Sequence, residues 1–128
     1  MAAMSDYLER ELLDHTLGTS AMAHPAQAYL ALHTADPTDA GSGAECSGGS
    51  YARQTIDFNA AAGTSGAVTN STAEDFTDMP ACTVTHIGIW DHASAGDLLY
   101  HGSVSTPKTV ADGDTISLAI GQLTVTLA

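Results

Sequence analysis

At 128 residues the chain has the length of one domain, enough to bury roughly two thirds of its unfolded surface without a metal or a disulfide framework. Fifteen acids against three bases (Arg10, Arg53, Lys108) give a formal charge of −12, a surface that repels nucleic acid and anionic membranes and suits a neutral or basic partner. No apolar run approaches the ~18 residues of a membrane span, and an N-terminus this acidic is not a secretory signal.

Residues 5–17 are expected to form a helix. Ser5 is suited to cap it, Asp6 and Glu9 sit near its positive end, and Gly18 can take the left-handed conformation that ends it. Leu8, Leu12, Leu13 and Leu17 recur at helical spacing. A helix of about 13 residues does not persist alone in water, so this stripe must pack on the domain or on a neighbouring subunit. The division expected is an N-terminal helical segment, 1–18, and a β-sandwich body, 19–128.

A linker ending at Pro25 leads into Gln27–Thr34, an alternating strand with Ala28, Leu30 and Leu32 inward; Asp36-Pro37 stops it. Thr38–Ser50 holds four glycines and little that is apolar, and is expected to be a long exposed loop, mobile or used for contact. Tyr51–Phe58 reads as a strand, with Ile56 and Phe58 on one face and Arg53 and Asp57 on the other. Ala60–Gly66 is a turn, and Ala67–Phe76 a polar edge strand.

The stretch Thr83–Val104 is the centre of the pattern. Two β-branched or aromatic runs flank His92-Ala93-Ser94-Ala95-Gly96-Asp97, as in an antiparallel hairpin. Its first run alternates Thr85, Ile87 and Ile89 with His86, Gly88 and Trp90, and is expected to be a central strand. Pro107–Val110 and Ala111–Asp114 mark a turn. Ile116–Ile120 and Leu123–Leu127, joined at Gly121-Gln122, read as a closing hairpin. Seven or eight short strands, one N-terminal helix and no βαβ alternation give the expected fold: mainly β, an antiparallel two-sheet sandwich of jelly-roll type.

Residues that carry chemistry are present without the spacings that chemistry needs. His15, His24, His33, His86, His92 and His101 include no tight two-ligand pair, so the expectation is no metal site. His86 and His101 lie on paired strands where their rings can approach, but are read as half-buried strand residues bonded to backbone. Asp112-Gly113-Asp114 lacks the further ligands of a calcium loop and is read as a turn, as are Asp36 and Asp39. Cys82 and His86, four apart on a strand, share a face at about 13 Å, beyond hydrogen-bond reach. Glu74-Asp75 point to opposite sides of an edge strand, no Gly-x-Ser-x-Gly elbow occurs, and Gly48-Gly49 precedes a strand rather than a helix. No catalytic residue and no cofactor site is expected. Cys46, in the Gly/Ser loop, and Cys82, at the start of a strand, are read as thiols.

Three blocks resemble a family of small tailed-bacteriophage virion proteins. They are Tyr7-Leu8-Glu9 with Leu12-Leu13-Asp14-His15; Tyr29 to Asp39 with Gly48 to Gln54; and His86 to Asp91 with Leu98 to Gly102, Lys108-Thr109-Val110, Gly113-Asp114-Thr115 and Leu123 to Leu127. The resemblance runs nearly end to end. It implies a non-enzymatic virion part, assembled in the host cytoplasm, and carries no catalytic residue to transfer. Members are commonly called tail fibre or minor structural proteins, while similar small sandwiches serve as capsid cement. The leading expectation is a decoration protein that binds the major capsid protein as a homo-oligomer; a trimer would match a local threefold of the lattice. A tail or tail-fibre part bound to tail proteins is the alternative. A host-glycan-binding module using Tyr51, Tyr100 or Trp90 is a further one.

Overall fold

A computed structural model describes residues 3–64 and 66–127. Its elements are β1 (Ala3–Met4), α1 (Asp6–Thr16), β2 (Ala28–His33), β3 (Gln54–Ile56), β4 (Ala67–Thr69), β5 (Glu74–Phe76), β6 (Cys82–Trp90), β7 (Leu98–Val110), β8 (Ile116–Leu118) and β9 (Thr124–Thr126). The fold is mainly β and antiparallel with one helix, as expected. One layer is a five-stranded sheet in the order β1-β7-β6-β2-β3, with β6 at its centre. The other is an irregular ribbon in which β4 pairs with β9 and β5 with β8. Between them lies the main core, where Leu30, Leu32, Ile56, Val84 and Val110 from the large sheet meet Phe76, Ile116 and Leu118 from the ribbon.

The central strand departs from plain alternation. Val84 opposes Lys108 but His86 opposes Ser103, so the register slips at Thr85. A bulge reverses the phase of a strand. Cys82 and Val84 therefore face the core before it, and Ile87 after it, a change of phase that plain alternation does not contain. The same slip puts Cys82 and His86 on opposite faces, which corrects their expected shared face. On β7 the slip leaves Val104–Pro107 without partners on β6, the kind of position where a residue lacking an amide is tolerated. Pro107–Val110 is thus strand, and the turn follows it at Ala111–Asp114.

Two further expectations change. Ala67–Phe76 is not one strand: it breaks at Asn70, a fully buried side chain. The Asn70 amide donates to the Thr72 and Ala119 carbonyls, and its carbonyl accepts from the Leu123 amide. Asn70 thus satisfies the backbone of the Ala119–Leu123 turn across the ribbon. Residues 116–127 accordingly pair with 67–76 rather than with one another, so no closing hairpin forms.

Helix α1 begins where expected. The Ser5 hydroxyl accepts from the Leu8 amide and donates to the Leu98 carbonyl, tying the cap to β7. Before it, Ala3 and Met4 add a short strand against His101 and Tyr100. The leucine stripe divides: Leu8 is buried and Leu12 half-buried, but Leu13 is 58% and Leu17 75% exposed.

Candidate functional site

A groove of ≈ 430 Å³ lies between the two layers, beside the unpaired stretch of β7. Its floor is core (Leu30, Leu32, Phe76, Val84), and its rim carries hydroxyls such as Ser103, Ser105 and Thr106, with Lys108 among them. It offers an occupant apolar contact and hydroxyl hydrogen bonds. No carboxylate, histidine or cysteine lines it.

The polar groups converge elsewhere, around Arg53. Its side chain is 7% exposed and makes a paired contact with Glu45, Nε to Oε1 at 2.9 Å and Nη2 to Oε2 at 2.8 Å. Nη1 donates to the carbonyls of His92 and Ala95 in the β6–β7 turn, and the guanidinium lies 4.0 Å from the Trp90 ring centroid. Tyr51 Oη donates to Glu45 at 3.0 Å and accepts from the Leu32 amide, while its ring stacks on Phe76. Burial alone would raise the Glu45 carboxyl; Arg53 first, then Tyr51, outweigh it and hold Glu45 below its ordinary range. One arginine thereby joins the loop before β3, the hairpin turn and the only tryptophan. The sequence placed Arg53 merely on the strand face opposite Ile56 and Phe58; that it is one of only three bases was the available signal.

The loop Thr38–Ser50, expected to be exposed and either mobile or used for contact, is largely exposed but stitched to the sheet. Thr34 donates to the Ala44 carbonyl, Cys46 to the Leu32 carbonyl, and Pro37 and Cys46 are buried. At Gly41 (φ +67°) a Cβ would sit 3.1 Å from Leu98 Cβ and 3.2 Å from Trp90, so glycine lets the loop lie flat on that pair.

Each histidine has its own surroundings. His101 Nε2 lies 2.7 Å from Asp39, and Nδ1 3.4 Å from Asp36, so carboxylates rather than backbone hold it. His86 is bonded to the Thr85 hydroxyl, and its register partners are His33 on β2 and Ser103 on β7, not His101, which opposes Gly88. His92 pairs with Asp91 at 2.7 Å, His15 accepts from the Met22 amide, and His24 is exposed. His33 is buried, its Nδ1 3.2 Å from the Gly43 carbonyl, and burial lowers its pKa. Among the described residues no group of three His, Cys, Asp or Glu is placed to hold a metal. Nor does any hydroxyl or thiol bond to a histidine that a carboxylate also holds. Asp112–Asp114 is a turn closed by Asp114, whose amide donates to the Ala111 carbonyl and whose Oδ2 accepts from the Ala111 amide. Asp36 caps its own turn through the Thr38 amide, which with His101 depresses its pKa.

An antiparallel body in which Arg53–Glu45 and His101–Asp39 tie loops to a sheet, and whose groove between the layers is lined mainly by apolar and hydroxyl groups, has the make-up of a structural module. Residues 3–126 match the family model for podophage GP4 fiber I protein gp80. The chain belongs to that family, a bacteriophage virion structural family of the fibre type. No curated protein matches it.

Proposed function

We propose that the chain is a non-enzymatic subunit of the tail-fibre apparatus, working as a homo-oligomer attached to tail proteins. The observation that carries this reading is the fibre-family match over nearly the whole chain, 3–126. The exposed Leu13 on α1 and Leu17 at its C-cap, four apart in the chain, supply an apolar surface on which subunits of so acidic a protein can meet. Closed cyclic assembly is the usual outcome of such a contact, and a trimer is the form we expect.

Capsid decoration, bound to the major capsid protein, is a second reading. The −12 charge on a compact body favours it, since such a surface docks readily on a basic lattice. Host-glycan binding draws less support: Trp90 is 8% exposed beneath Arg53, and Tyr51 is stacked in the core, which leaves Tyr100. Immunogold labelling and image reconstruction of intact particles test the proposal. Label confined to the tail supports it, whereas copies at capsid hexamer junctions would replace it with the decoration reading.

A further inference from the structure

Cys46 and Cys82 lie 36 residues apart in the chain, yet their sulfurs are 3.4 Å apart at the margin of the main core. Two independent features bring them together. Cys46 is fixed by the hydrogen bond its backbone amide donates to the Leu32 carbonyl, and the bulge at Thr85 turns Cys82 toward the core instead of away from it. A disulfide has a bond length near 2.05 Å, so closing the pair needs a relative movement of only about 1.4 Å, within reach of small side-chain rotations.

We infer that Cys46 and Cys82 are a reversible cross-link site, two thiols in reducing surroundings and an intramolecular disulfide in oxidising ones. The oxidant is a small-molecule disulfide such as oxidised glutathione. Cys82, the more exposed sulfur, attacks it as thiolate and displaces one glutathione thiolate; Cys46 then loses its proton, attacks the Cys82 sulfur and displaces the second. Two thiol hydrogens leave the protein and one external disulfide becomes two thiols. The second step is the slow one, because burial raises the Cys46 thiol and so keeps little of it as thiolate. The closed bridge ties the end of the Thr38–Ser50 loop covalently to the central strand, beside the Glu45–Arg53 pair. A virion part passes from a reducing cell to the outside, so on the virion reading given above the staple closes after release.

The test uses the purified 128-residue chain and reads bond formation and its effect on melting, so it stands apart from where the protein sits in the particle. After equilibration with excess oxidised glutathione, thiol titration should fall from two to none. The mass should drop by about 2 Da with the protein still of unchanged oligomeric state. The melting temperature should rise by roughly 10 °C, reversed by reductant, as expected for closing a loop of this length. Persistent thiols, a lasting glutathione adduct, or a bridge that leaves the melting temperature unchanged would each overturn the inference. Cys82→Ser must lose the oxidant-dependent rise; if it keeps it, the rise has another source and the inference fails.

Discussion

The loop Thr38–Ser50 and the helix α1 exchange the roles that their compositions assign them. The loop is rich in glycine and serine, yet polar bonds fix it, and Pro37 and Cys46 beside and within it are buried. The helix and its C-cap carry four leucines, yet bury only Leu8 fully and leave Leu13 and Leu17 in solvent. Apolar periodicity says which side of an element avoids water, but not what covers it. A polar loop becomes rigid when its carbonyls, amides and carboxylates find fixed partners. Here Arg53, His101 and β2 provide them.

The largest effect should come from Arg53→Ala. It leaves Glu45 half-buried with its main counter-charge gone, frees two carbonyls and uncovers Trp90. Removing one partner of such a pair costs about 3–5 kcal/mol. Urea unfolding should show that loss, and Arg53→Lys should recover little of it, since an ammonium cannot match the paired geometry. A loss under 1 kcal/mol would mean that the loop is not held from this side. Next comes Leu8→Ala, at about 2–4 kcal/mol, because Leu8 is the one side chain through which α1 is fully buried on the body.

Acid should open the loop in two stages. His33 has a folded pKa below its ordinary 6.5, chiefly through burial, and Glu45 one below its ordinary 4.5. In each case the unfolded chain binds the proton first, so stability is complete above the ordinary value and is lost as pH falls toward the folded one. The melting temperature should therefore decline below about pH 6.5 and again below about pH 4.5. His33→Gln should flatten the first decline and Glu45→Gln the second. Parallel profiles for wild type and both variants would show that these groups do not report on the loop.

Much of the fold was legible in the sequence because it rests on local chemistry. The Ser5 cap, the central hairpin with Trp90 and the inward Leu30 and Leu32 follow from residue type and spacing. What was not legible depends on partners distant in the chain. The bulge at Thr85 is set by the unpaired Val104–Pro107 of β7, and the break at Asn70 by the Ala119–Leu123 turn it satisfies. Arg53 finds Glu45, His92 and Ala95 through the way β2, β3 and β6 line up. The resemblance to phage virion proteins, by contrast, rests on the order of whole blocks, so it could be read without any of these contacts, while the fibre type came from the family match over 3–126 and not from that reading.

The smallest effect on folding should be the most informative about assembly. At 3.6 residues per turn, Leu13 is about 140° around the helix from Leu8, so the four leucines cover half the circumference and cannot all meet one sheet. Leu13→Ser with Leu17→Ser should change the unfolding free energy of the isolated chain by less than about 1 kcal/mol, because neither side chain is buried within it. If that face is where subunits meet, the same double variant should move the mass measured by light scattering from oligomer to monomer. An oligomer that survives the double change would move the contact to another surface and leave the two leucines without a partner in the assembly.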